Sequence, residues 1–139
     1  MKIDGKRIRE KIQFIKNNQK KLSELADLNK YEFLSDYRNY DTAKYNLQSA
    51  IEAIIDICSH IISRQEMGSP KTNADCFRIL ANNNIINEDK LLTFVKITKF
   101  RNRIVHLYDE VDDEYIYEII QNNLSDFDYF IEVITEKYF

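Results

Sequence analysis

Between residues 99 and 108 the chain reads KFRNRIVHLY, which sets Arg101, Asn102, His106 and Tyr108 within two helical turns of one another. The chain has just two histidines, and this one lies in a run that is unusual in charge. From Lys90 to Tyr108 there is no acid, while Lys90, Lys96, Lys99, Arg101 and Arg103 are cationic. With +5 there and −3 overall, the remainder sums to −8. A cationic helix on an acidic body suits a local anion site better than general adhesion to nucleic acid, which the whole-molecule charge opposes. The plainer reading is a solvated face that balances a neighbouring acidic helix.

Chemistry suggests what such a set can do. An unperturbed imidazole titrates near ~6.5, so His106 can take or give a proton around neutrality. The guanidinium of Arg101 is always charged and presents a fixed fork of donors to phosphate oxygens. Together they suit transesterification of RNA, in which a 2′-hydroxyl loses its proton, attacks its own phosphate, and the developing charge is held by arginine. Neither a divalent metal nor another cofactor is required. Lys99 and Arg103 are candidate phosphate contacts beside this pair. An isolated Arg-x4-His is met by chance in many helical proteins, and a histidine that merely packs is the bland alternative.

Spacing adds a difficulty. At ~100° per residue Arg101 and Tyr108 lie ~20° apart around a helix and ~10 Å along it. Asn102 and His106 lie ~40° apart, as neighbours one turn away, but Arg101 and His106 are ~140° apart. One regular helix does not aim both at the same atom. Long side chains, unwinding near His106, or a second subunit would have to bring them together.

The elements that position these residues follow from composition. Two glycines and one proline in 139 residues are too few for the turns of most β proteins. With 44% hydrophobic and 31% charged residues the chain is expected to form one domain, residues 1–139, with its own core. Apolar positions recur at helical spacing almost throughout. A first helix is expected from about Asp4 to Leu28, after which LNKYEFLSD turns the chain. Asp36 or Ser35 can cap a second helix reaching about Gln65, ended by Gly68 and Pro70. Thr72 with Asp75 resembles a capping box for a short third helix through Leu80. Asn87, Glu88 and Asp89 open a fourth, which carries the motif, and Asp112 can cap a fifth reaching about Tyr138. The expected fold is all-α, an antiparallel bundle of four to five helices.

Other features limit the partners. No run approaches the ~18 apolar residues of a membrane span, and the N-terminal residues lack the pattern of a secretion signal. Cys58 and Cys76 lack metal-ligand spacing and read as reduced, packed thiols of a cytoplasmic protein. His60, inside an apolar helix, reads as a satisfied core or groove histidine. The aromatic-rich end, Phe127, Tyr129, Phe130, Tyr138 and Phe139, reads as core or subunit interface rather than a platform for stacking bases.

RNRIVHLY resembles the R-x4-H-x-Y signature of HEPN-domain proteins, specifically the HepT-like ribonuclease toxins paired with minimal nucleotidyltransferases. The resemblance extends to YNLQSAIEAIIDICSHIIS, to GSP followed by CFRIL, and to DDEYIYEIIQNNLSDFDYFIEVI, in the family's order along the chain. The segment KTNAD before Cys76 is less typical. The resemblance implies that Arg101 and His106 are the catalytic pair, that Asn102 is the supporting polar residue, and that Tyr108 is adenylylated by the cognate nucleotidyltransferase antitoxin. It also implies a homodimer whose motif helices line one cleft, which would answer the ~140° separation. An adenylate on Tyr108 would place a bulky anion near Arg101, where it competes with an RNA phosphate. A second expectation stays open beside this one: a non-catalytic module that binds a nucleotide or other substrate for a separate nucleotidyltransferase. In that case His106 aids binding without turnover; separately, the plainer reading of Tyr108 is a packing aromatic in a chain with nine tyrosines.

Overall fold

A computed structural model describes residues 2–106 and 111–139; for His106 this extends to the backbone. Among them are seven helices and no strand, in the order α1 Gly5–Ala26, α2 Lys30–Leu34, α3 Tyr37–Arg64, α4 Asn73–Asn82, α5 Glu88–His106, α6 Asp113–Asn122 and α7 Leu124–Tyr138. The all-α expectation holds, but the number of helices is higher than four or five, for two local reasons. LNKYEFLSD does turn the chain, yet it does so through a helical turn of its own. Asn29 and Glu32 form a reciprocal capping box at its start, and Phe33 drops into the core. The expected fifth helix is in fact two. At Asn123 (φ −120°, ψ 3°) the backbone N–H still donates to Ile119 at 2.8 Å, closing α6, while its carbonyl accepts from Asp126 at 3.1 Å, opening α7.

The predicted starts of α3, α4 and α6 are observed. Asp36 accepts from the Arg38 N–H, Thr72 and Asp75 make the capping box, and Asp112 accepts from the Glu114 N–H. The end of α3 differs. The left-handed residue that stops it is Glu66 (φ 52°), not Gly68, and Met67 then donates back to Ile62 at 3.0 Å. Asn84 (φ 60°) does the same after α4, with Ile85 donating to Leu80 at 2.9 Å. Both are the hydrogen-bonded stop that glycine usually supplies. The helix expected to reach Leu80 therefore runs on to Asn82.

Cross-helix bonds give the directions. Asp4 meets His60 and Lys11 meets Asp56, so α1 and α3 run antiparallel. Gln19 reaches Leu124 and Asp128 while Arg9 covers the Phe139 ring, so α1 and α7 are antiparallel as well. Helix α5, which bears the motif, is held by an aromatic cluster. Phe94 stacks on Phe77 of α4, with ring centroids 5.1 Å apart, and meets Phe130 of α7 edge-on at 5.9 Å. Such pairs contribute about 0.5–1.5 kcal/mol beyond the burial of their area. The buried aliphatic residues of α3, from Leu47 to Ile62, lie in the same cluster, so α5 is fixed against α3 along the segment that carries Arg101.

Of the aromatic-rich end, Phe127 and Phe130 are core, Tyr129 is partly buried with its hydroxyl accepting from the Asn87 N–H at 2.9 Å, and Phe139 is half exposed beneath Arg9. Both cysteines are free and buried, with Cys76 Sγ 3.5 Å from the Ser59 hydroxyl and the Cys58 thiol pushed up by burial. Among the described residues no helix is long and apolar enough to cross a membrane.

His60 is partly buried near the end of α3, away from the motif. Its Nε2 accepts the Asp4 backbone N–H at 2.9 Å, which ties the first turn of α1 to the end of α3 and requires a neutral ring protonated on Nδ1. Partial burial, with Arg64 and Arg7 nearby, holds its pKa below the ordinary value. The unfolded chain therefore takes up this proton first as pH falls, so the His60 contribution is complete above about 6.5 and is lost on acidification.

Two outcomes follow for stability. Phe94→Ala should lower the unfolding free energy by about 3–5 kcal/mol in a denaturant titration, whereas Tyr31→Ala, at an 82% exposed position, should stay within about 0.5 kcal/mol. The melting temperature of His60→Gln, which keeps an acceptor but does not titrate, should fall less between pH 7.5 and 5.5 than that of the unaltered protein; equal slopes would remove the role assigned to His60.

Candidate active site

Arg101 occupies an inward-facing position on α5. Phe94, Thr98, Phe100 and Ile104 are buried around it, whereas Lys99, Asn102 and Arg103 are exposed. An arginine at such a register cannot leave its donors unsatisfied without cost, and its partners account for the local geometry. Nη2 donates to Glu52 Oε1 at 3.0 Å, and Nη1 donates to Asn102 Oδ1 at 3.2 Å. Nε is buried and finds no acceptor among the described residues. The side chain is 24% exposed and that of Glu52 39%, so the ion pair is partly shielded from water.

Glu52 is itself fixed. Gln48, one turn earlier on α3, donates through Nε2 to the same carboxylate oxygen at 3.2 Å. Glu52, Ile55 and Asp56 of α3, Asn73 at the start of α4, and Arg101 line an open cleft of about 290 Å³. Asp56 is paired with Lys11 of α1 at 2.9 Å. The cleft is thus not a bare cationic surface. Each of its acids is matched by one cation, and Arg101 enters it already oriented.

The structure separates the residues that the sequence grouped. Asn102 is next to Arg101 and accepts from its Nη1 through the side-chain oxygen. Lys99 and Arg103 are exposed, make no ion pair among the described residues, and sit ~160° around α5 from Arg101. They do not share its cleft within one chain. Helix α5 continues through His106, so local unwinding before that residue does not occur. Its register leaves position 106 ~140° from Arg101 and within ~20° of Lys99. The side chain of His106 and all of Tyr108 lie outside the described residues. Sequence reasoning missed Glu52 and Gln48. The spacing of Gln48 and Glu52 is visible as an i, i+4 pair, but nothing local joins it to Arg101, 49 residues further on.

Comparison with known proteins agrees with this architecture. The family described as Ribonuclease HepT-like matches residues 15–134. The mRNA nuclease HepT of Shewanella oneidensis is 36% identical over 106 residues, which cover 76% of this chain and 80% of that protein. The tRNA nuclease HepT of Aphanizomenon flos-aquae is 25% identical over 114 residues, covering 82% and 78% respectively. A solved structure of the tri-AMPylated Shewanella oneidensis HEPN toxin in complex with MNT antitoxin matches with a TM-score of 0.86 at 34% identity, over 94% of this chain and 97% of that one. By the extent of the match and by its fold, the chain belongs to the HepT-like ribonuclease family.

Proposed function

We propose that this protein is a metal-independent endoribonuclease, the toxin of a toxin–antitoxin pair, in which Arg101 and His106 act on one RNA phosphate. The observation that carries the reading is Arg101 itself: a partly buried guanidinium, held on two sides and opening on a cleft, in a chain of the HepT-like family. His106 takes the proton of the 2′-hydroxyl, the 2′-oxygen attacks the adjacent phosphorus, and the bond to the 5′-oxygen breaks as that oxygen receives a proton. The products are a 2′,3′-cyclic phosphate and a 5′-hydroxyl. Arg101 holds the charge that grows on the non-bridging oxygens, and its two terminal nitrogens each keep one N–H for that purpose.

The register of α5 bears on assembly. Positions 101 and 106 diverge by ~140° on one helix, so a shared phosphate is best served by Arg101 of one copy and His106 of another. We therefore read the working unit as a homodimer with two α5 helices facing one cleft. In such a unit Lys99 and Arg103, which share the His106 side of α5, would guide the RNA backbone as phosphate contacts. The relative solved with MNT antitoxin is described as tri-AMPylated, which supports a cognate minimal nucleotidyltransferase as the partner of this chain and adenylate as the modification; the motif tyrosine, Tyr108, is the acceptor we assign. The place of action inferred is the cytoplasm, where such RNA is found.

The same divergence of positions 101 and 106 favours one competing reading, a non-catalytic module that binds a nucleotide or substrate for the nucleotidyltransferase. Growth separates the two. Expression alone should arrest cells and co-expression of the partner should restore them; unaffected growth favours the binding module.

In vitro, the protein should cleave RNA in EDTA, and Arg101→Ala or His106→Ala should each lower the rate about 10²–10⁴-fold. Equal cleavage by all three proteins would assign the activity to a contaminant. After incubation with the partner and ATP, peptide mass spectrometry should find adenylate on Tyr108 and lose it in Tyr108→Phe. Adenylate found solely on other residues removes Tyr108 as the acceptor and leaves the ribonuclease reading intact.

A further inference from the structure

Glu52 stands where a phosphate-binding site would not be expected to place an acid. It lies on α3, faces the cleft, and occupies Nη2 of Arg101 at 3.0 Å. A carboxylate there has two possible physical consequences of opposite sign. As a counter-ion it would compete with the incoming phosphate and weaken binding. As a clamp it would fix the guanidinium before substrate arrives.

The geometry points to the second. A free arginine loses rotamer entropy when it binds. Here both terminal nitrogens are engaged, Nη2 by Glu52 and Nη1 by Asn102 at 3.2 Å, so the plane of the guanidinium is determined from two directions. The clamp is in turn anchored, because Gln48 Nε2 donates to the same Glu52 oxygen at 3.2 Å. One N–H on each terminal nitrogen stays available, while the N–H of Nε is buried. The backbone of Glu52 belongs to a helix packed in the core, between buried Ile51 and Ala53, so its starting point is fixed by that packing.

We propose that Glu52, held by Gln48, is a positioning residue that sets the orientation of Arg101 for the transition state; this rests on the ribonuclease reading above. It acts through arginine and does not touch the reacting atoms. Its loss should therefore reduce kcat and leave KM nearly unchanged, since a misdirected donor costs transition-state stabilisation more than ground-state binding.

The test compares Glu52→Ala, Glu52→Gln, Gln48→Ala and Arg101→Ala on a 5′-labelled single-stranded RNA of mixed sequence, in EDTA, with melting temperatures measured in parallel. Glu52→Ala should lower kcat about 10–100-fold with KM within about threefold. Glu52→Gln, whose amide oxygen can accept from Nη2 in the same place, should recover most of that loss. If Glu52→Ala does not fold, Gln48→Ala carries the test, with kcat expected to fall about 3–10-fold. A Glu52→Ala protein as fast as the unaltered one, or faster with a lower KM, makes Glu52 a mere counter-ion and overturns the proposal, as does Glu52→Gln no better than Glu52→Ala or Gln48→Ala at full rate. In those cases an inactive Arg101→Ala leaves the ribonuclease reading standing. Full activity in Arg101→Ala sinks both.

Discussion

A guanidinium placed on the inner side of a helix imposes a demand on everything around it. It cannot lose its proton, it cannot be left without acceptors in a region where Phe100 and Ile104 exclude water, and its planar fork accepts partners in few directions. In this protein the demand of the two terminal nitrogens is met from two places at once: Asn102, next in the chain, and Glu52, on a helix formed 49 residues earlier. The pair is partly exposed, so its net contribution to stability is small, of the order of 1 kcal/mol or less. Its value lies in direction. An arginine already aimed at a cleft loses less freedom when an anion arrives.

Keeping that direction constant is a task for the core. Helix α5 is clamped at its first half by Phe77 and Phe130 against Phe94 and lies along α3 through its second half. A displacement of either helix would separate Glu52 from Arg101, so the same packing that stabilises the fold also sets the ion-pair distance. The acids and cations of the cleft are balanced by elements remote in sequence, with Lys11 of α1 opposite Asp56. Charge counted along α5 alone therefore overstates how cationic the site is. Of the five cations in the run, Arg101 turns to the cleft, Lys90 pairs with Asp126 of α7, and Lys96, Lys99 and Arg103 are exposed.

Membership of the HepT-like ribonuclease family gives this arrangement its chemical setting. The register of α5 gives it a constraint on assembly: one helix that stays regular through His106 presents positions 101 and 106 to different sides. Two copies are a simple way of presenting both to one phosphate. On the proposed reading, the oriented arginine of a single chain is half of a site.

Much of the fold was legible because its causes are local. The capping residues Asp36, Thr72 with Asp75, and Asp112 announce helix starts through bonds that span two or three residues, and the apolar period marks the buried faces. The stops were harder. Glu66 and Asn84 take the left-handed position that glycine would advertise, and the break at Asn123 has neither glycine nor proline to mark it. These conformations are accepted because packing on both sides outweighs their small local cost. The motif was legible for the same local reason, since Arg101, Asn102, His106 and Tyr108 lie close in sequence. The sequence by itself thus determined the helical class, most helix starts, and which residues the motif groups. Tertiary structure alone decided which way Arg101 points and what holds it there, because an ion pair across 49 residues exists once α3 and α5 are packed and leaves no periodic trace in either segment.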